Sequence, residues 1–267
     1  MKIVDVHTHA FPDNLAGKAL ASLQKAVEPY KPFTNGTVRG LLVSMDEAEI
    51  YSSFLLNIAT KPEQAVSIRK WAQEIASDRI IPLGSIHPDS AGWQEELDNF
   101  NKDGIKGIKF QPMYQKFSID EKRMFPIYEY IAMSGMFIIF HSGEDIAFPG
   151  NTQSSVDKIG NILNNIPKLK IIAAHFGGWR SWSLVLEHLC GKDIFLETSF
   201  INEVDDKLRR KILSSHDRQR FLFGTDSPWS SQKTQVEFIK NLPELDESFK
   251  EQILGKNVNL LLRSLNE

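Results

Sequence analysis

The chain has 267 residues, 42% of them apolar and 24% charged, with a formal net charge of −3 at pH 7. That length holds one large domain or two small ones, and a single αβ barrel needs roughly 250 residues. With no basic block and no apolar run near the ~20 residues of a membrane span, the chain is expected to bind neither nucleic acid nor membrane.

The N-terminal MKIVDVHTHAF carries two histidines and no small-residue cleavage site, so it reads as a strand and not as a signal peptide. The single cysteine, Cys190, excludes an internal disulfide and fits a reducing, cytoplasmic setting.

Eight short apolar runs bounded by Gly, Pro, Asp or Asn predict strands. They are Ile3–His7, Phe54–Ala59, Ile80–Ile86, Ile105–Phe110, Met136–His141, Lys170–His175, Ile194–Ser199 and Phe221–Asp226. From the second onward they start roughly 25–35 residues apart, the length of one strand–helix unit. Between them, Glu63–Ala76, Trp93–Phe100, Phe125–Met133, Val156–Asn164 and Leu184–Leu189 repeat apolar residues at helical spacing. ESFKEQILGKNVNLLLRSL reads as a closing helix. Eight strand–helix repeats favour closure into a (β/α)8 barrel, an α/β fold made of one domain over residues 1–267. No G-x-G-x-x-G turn follows the first strand, which removes the main support for a dinucleotide-binding sheet. The first interval is longer, about 45 residues, with helices expected over Asp13–Val27 and Val38–Glu49. An insertion there follows a strand's C-terminal end and should lie over the active face as a partial lid.

Six residues that could ligand a metal stand at the downstream ends of five of these runs: His7, His9, Lys109, His141, His175 and Asp226. Parallel strands in a barrel open all such ends onto one face. His7 and His9, at i and i+2 on a strand, point to the same side. A lone histidine after an apolar strand is as readily a hydrogen-bonded core residue, while a turn or cap role is the lesser alternative for Asp226 before Ser-Pro. Lys109 can equally be a plain ion-pair partner. Their recurrence at matching ends favours a metal-dependent catalytic site. Ion-bound water there can ionise near neutral pH, and Asp226 can take its proton and pass it to a leaving group.

Among the other candidates, His87 reads as structural, and His188 and His216 as surface residues. Glu197 is placed to orient a ligand histidine. Trp179, Arg180 and Trp182 either wall the pocket or pack the loop. Arg39 and Arg180 are candidates for holding a substrate carboxylate.

Taken in order, D-V-H-T-H, G-I-K-F-Q-P, F-H-S-G, A-H-F-G-G, L-E-T-S and F-G-T-D-S-P-W resemble the amidohydrolase superfamily, in its amidohydrolase-related branch, over essentially the whole chain. The resemblance implies a divalent metal, usually zinc, bound by His7, His9, His141 and Asp226. It implies that His175 binds a second metal or contacts the substrate and activated water. It places Lys109 where binuclear members carry a carboxylated, bridging lysine; one ion is favoured here and two are allowed. The expected activity is hydrolysis of a C–N or C–O bond in an amide, cyclic amide or lactone through a metal-activated water, with Asp226, His175 and Lys109 as catalytic residues. The alternative is non-oxidative decarboxylation of an unsaturated or aromatic acid. The expected partner is a small-molecule substrate, and homo-oligomerisation is left open.

Overall fold

Side chains alternate between the two faces of each strand, and in this protein the two faces become two separate cores. The computed structural model describes residues 1–28 and 30–265. Its first half runs β1 (Ile3–Thr8), α1 (Asp13–Ala26), α2 (Val38–Glu47), β2 (Ile50–Leu55), α3 (Gln64–Ile75), β3 (Ile80–Pro82), α4 (Trp93–Lys102) and β4 (Gly107–Phe110). A short α5 (Pro112–Gln115) leads to α6 (Phe125–Met133), β5 (Phe137–Phe140), α7 (Val156–Asn165), β6 (Lys170–Ala173), α8 (Trp182–His188) and β7 (Phe195–Glu197). The chain ends with α9 (Asp206–Ser215), β8 (Phe221–Leu222), α10 (Gln232–Asn241), α11 (Glu247–Glu251), a π-helical turn (Gln252–Lys256) and α12 (Asn257–Ser264).

All neighbouring strands are parallel, in the orders β1-β2-β3 and β4-β5-β6-β7-β8. The two groups meet at both seams. Gly84 bridges Ile108 beyond β3, and Thr8 bridges Ser227 beyond β8. Lys109 N donates to Gly84 O at 2.9 Å, and Val6 N donates to Phe223 O at 2.8 Å. The result is an eight-stranded αβ barrel of the TIM type.

Register sets what lies inside. Lys109 pairs with Ile139, and Ile139 with Ile172. Ile139 and Ile172 belong to an inner cluster with Val6, Phe54, Leu83, Phe137, Phe195 and Leu222. The alternate residues Ile108, Ile138 and Ile171 join the larger layer beneath the helices. The interior is a packed plug, as barrel interiors are. It is tight enough that a Cβ on Gly107 would lie 2.7 Å from Leu83 Cδ2, so only glycine fits.

Several strand bounds differ from the sequence expectation. β2 covers residues 50–55, four earlier than the apolar run Phe54–Ala59 suggested. Ser52 and Ser53 hide the true start, while Leu56 to Ala59 continue past the sheet as loop. β6, β7 and β8 stop two to four residues short of the expected ends, which leaves the chemistry-bearing residues on loops. The insertion after β1 forms α1 and α2 as expected. Helices α9 and α10 were not foreseen. Among the described residues, no helix is long and apolar enough to cross a membrane.

Candidate metal centre and active site

His7 lies in β1 and His9 just past it; His141, His175 and Asp226 follow the ends of β5, β6 and β8. His175 and Asp226 both take left-handed backbone, each at φ 60. For residues other than glycine that conformation costs on the order of 1 kcal/mol or more, and it persists where surroundings impose it. Here it turns both side chains onto one cluster. His7 Nε2 lies 3.2 Å from His9 Nε2, and both lie 3.2 Å from Asp226 Oδ1. His141 Nδ1 lies 3.0 Å from His175 Nε2. Ligand atoms of His7, His175 and Asp226 lie within 4.8 Å of one another.

The outer hydrogen bonds decide which ring nitrogens carry protons. His7 Nδ1 donates to Glu197 Oε1 at 2.9 Å, and His9 Nδ1 to the Leu56 carbonyl at 3.0 Å. His141 Nε2 donates to the Glu144 carbonyl at 2.8 Å. Ser199 Oγ gives its one proton to Glu197 Oε1 at 2.6 Å, so His175 Nδ1 must donate to Ser199 Oγ, 2.8 Å away. Every imidazole therefore turns a lone pair toward the cluster. Four ring nitrogens and a carboxylate oxygen face one another with no proton between them.

Protonation does not relieve this crowding at neutral pH. Burial, and then neighbouring positive charge, holds His7 and His175 well below the ordinary histidine value. Burial also lowers His141. A divalent cation does relieve it, since neutral imidazoles and a carboxylate are the donors such an ion takes. The residues present fit a metal ion.

A buried carboxylate supports the cluster from behind. Glu197 accepts from the His175 amide at 2.6 Å and the Ser199 amide at 2.6 Å, besides His7 and the Ser199 hydroxyl. Burial raises its pKa, and these hydrogen bonds counter the shift. The room for it comes from Gly224, where a Cβ would collide with Glu197 Oε2. Below lies Asp5, whose carboxylate ties β1 to the segment after β8. Its oxygens accept from the Thr225 amide at 3.1 Å, Thr225 Oγ1 at 2.6 Å and Gln232 Nε2 at 2.7 Å. Burial pushes Asp5 up to about 7. The sequence offered little sign of Thr225 or Gln232, because their role depends on pairing with Asp5 across more than 200 residues, or of Ser199, whose role depends on His175 of the neighbouring strand's end.

Lys109 is buried at the barrel mouth, with burial lowering its ammonium to about 8 against the pull of Asp226, Glu197 and Asp145. It lines a cavity of about 460 Å³ together with His7, His9, His141, His175 and Asp226. All six residues singled out at strand ends thus share one cavity. Leu15 and Leu23 of α1, with Val27 and Tyr30 just beyond, close one side of it, as the lid expectation required. Tyr30 Oη donates to Glu203 Oε1 at 2.6 Å and Trp179 Nε1 to Glu203 Oε2 at 3.1 Å, so the lid is tied to the loops after β6 and β7.

Of the other candidates, Trp179 alone lines the cavity. Arg39 is exposed, and Arg180 stacks over the Trp179 ring at 4.1 Å on the outer side; neither lines the site. Trp179 walls it, whereas Trp182 packs the loop through a 2.9 Å bond to the His175 carbonyl. His87 is structural, its Nδ1 accepting from the Asp89 amide. His188 is half-buried on α8, and His216 is buried and not a surface residue. Its Nδ1 accepts from the Gly191 amide at 3.2 Å, and its Nε2 donates to the Ile194 carbonyl at 3.0 Å. Polar flanks concealed a histidine that braces two loops at the opposite end of the strands.

A family model described as Amidohydrolase matches residues 4–262. The chain belongs to the amidohydrolase family. No match was found among the curated proteins. Among solved structures, the fold is similar to 5-carboxyvanillate decarboxylase from Sphingomonas paucimobilis at a TM-score of 0.76 and 17% identity, covering 98% of this chain and 99% of that one. A 5-carboxyvanillate decarboxylase from Novosphingobium aromaticivorans, with bound manganese, gives 0.73 and 11% over 98% and 97% of the two chains. A probable 2-pyrone-4,6-dicarboxylic acid hydrolase from Acinetobacter baumannii gives 0.68 and 15% over 98% and 100%. This amidohydrolase-family chain therefore shares its barrel with decarboxylases and a hydrolase alike.

Proposed function

We propose that the chain, folded as one barrel domain, is a metal-dependent hydrolase of a C–N or C–O bond in an amide, cyclic amide or lactone. The ion would be held by His7, His9, His141 and Asp226, with the His175 lone pair left to face the water, and imidazole-rich donors suit Zn2+. When bound, a divalent ion polarises a substrate oxygen and eases the ionisation of water near neutral pH. Asp226 takes a proton from the attacking water as its oxygen bonds to the carbonyl carbon. The same carboxyl then passes that proton to the leaving nitrogen or oxygen as the old bond breaks. Neutral His175 accepts a hydrogen bond from the water, and the Lys109 ammonium donates one to the substrate oxygen. As an ammonium, Lys109 disfavours a second dication nearby, which supports one ion per site.

The observation that carries this reading is the charge of the walls. Among the lining residues, Lys109 is the one lysine or arginine. A carbonyl group needs no counter-ion, whereas a carboxylate would have to occupy Lys109, the one cationic lysine or arginine of the lining. One feature favours decarboxylation as a second reading: Lys109 beside the cluster can seat a single carboxylate among apolar walls.

The test uses zinc-loaded protein, a panel of amides, lactones and aromatic acids, and water labelled with oxygen-18. Hydrolysis places the label in the product carboxylate. Release of CO2 with unlabelled product would overturn hydrolysis in favour of decarboxylation.

A further inference from the structure

The two ends of the cavity differ in what they leave unbonded. At the strand ends, the metal-binding cluster, Lys109 and the Tyr114 hydroxyl all face the space, and Tyr114 has no hydrogen-bond partner among the described residues. Toward α1 and α3 the lining is Leu15, Leu23, Val27, Ile68 and Trp71. The polar side chains there, Thr60, Gln64 and Ser67, bond mostly to one another, and none carries a charge. Thr60 Oγ1 donates to Gln64 Oε1 at 3.1 Å, the Lys61 amide donates to the same oxygen at 3.0 Å, and Ser67 Oγ donates to the Gln64 carbonyl at 2.9 Å. A charged group entering this end would give up water and meet no counter-charge. The volume, about 460 Å³, is within the range that encloses a drug-sized ligand, and the polar end uses part of it.

Resting on the reading of the polar end as a metal-dependent site, we infer that the substrate has one polar head and one aliphatic or aromatic tail. The head sits at the cluster and Lys109. The tail lies between α1 and α3, and a second charged group on it is rejected. Tail binding makes the lid a specificity element, since three of the tail's contacts, Leu15 and Leu23 of α1 and Val27 at its C-terminal cap, come from it.

The test is calorimetric binding of straight-chain alkyl hydroxamic acids, from acetohydroxamic to octanohydroxamic acid, to zinc-loaded protein. Each added methylene should tighten binding roughly three- to fourfold until the chamber is filled. Adipic acid monohydroxamate, whose tail ends in a carboxylate, should bind at least about tenfold more weakly than hexanohydroxamic acid. Ile68→Asp and, as a milder change, Leu23→Gln should each flatten the dependence on tail length. One affinity for every chain length, with all members binding, would overturn the tail chamber and leave the metal site standing. A length dependence that is the same in zinc-free protein keeps the chamber and removes the ion from head-group recognition. Binding by no member overturns both.

Discussion

The two ends of the same eight strands are built by opposite rules. Inside the barrel, Phe54, Phe137, Ile139, Ile172, Phe195 and Leu222 fill the space with apolar side chains and leave no room for a Cβ at Gly107. At the C-terminal ends of the same strands and on the loops just beyond them, four histidines, a lysine and an aspartate face one another, two of them in left-handed backbone. The plug gains free energy from burial; the mouth holds lone pairs and charges that burial alone disfavours. The packed end thus supplies the stability with which the polar end is held in a reactive arrangement. Substitutions at the two ends should separate stability from chemistry.

The largest expected effect is at the plug. Phe137→Ala should destabilise the protein by about 3–5 kcal/mol, read as a shift in the urea midpoint, while the protein that remains folded keeps its metal. At the mouth, Asp226→Asn should lower turnover at least ~100-fold in metal-loaded protein with little change in that midpoint. The amide still offers a ligand oxygen but cannot accept the water's proton. Near-normal turnover would move the base elsewhere, with His175 next in line.

A smaller effect should come from behind the cluster. Glu197→Gln removes the charge that orients His7, His175 and Ser199, and should weaken metal affinity by about 10–100-fold in competition with a chelator. An unchanged affinity would show that Glu197 only fills space beside Gly224.

The smallest effect is at His216, remote from the mouth. Burial lowers its pKa in the folded state below the 6.5 it has when unfolded. The unfolded chain therefore binds the proton more readily, and stability falls as pH drops from about 6.5 toward the folded-state value. His216→Asn should flatten the stability of metal-free protein over that window relative to wild type. Equal slopes in the two proteins would contradict the assignment.

What the sequence made legible follows the same division. Strand ends were visible because an apolar run stops at a His, Lys or Asp and a glycine or proline follows closely, as in FIIFHSG and FLFGTDSP. The convergence of His7, His9, Lys109, His141, His175 and Asp226 then followed from strand polarity alone. The exact strand bounds did not, because these strands are two to six residues long and their apolar runs spill into loops. α9 and α10 carry few apolar residues each, Leu208, Ile212 and Leu213 in one and Val236, Phe238 and Ile239 in the other, so their pattern is weak. His216 was misread because its neighbours are polar, and burial of a single residue leaves no periodicity. His175, which the resemblance set apart from the ligands of the first ion, lies in the same small group as His7 and Asp226, a proximity that strand order alone did not specify.

The most direct test of the metal centre is metal stoichiometry after loading with excess zinc and bicarbonate, followed by gel filtration. The expected result is one ion per chain in wild type and none in the His7→Ala/His9→Ala double variant, with metal-free forms of both unfolding alike. Two tightly held ions that drop to one in Lys109→Ala would replace the single-ion site by a bridged pair. Full metal content in the double variant would contradict the convergence of these strand ends on one metal.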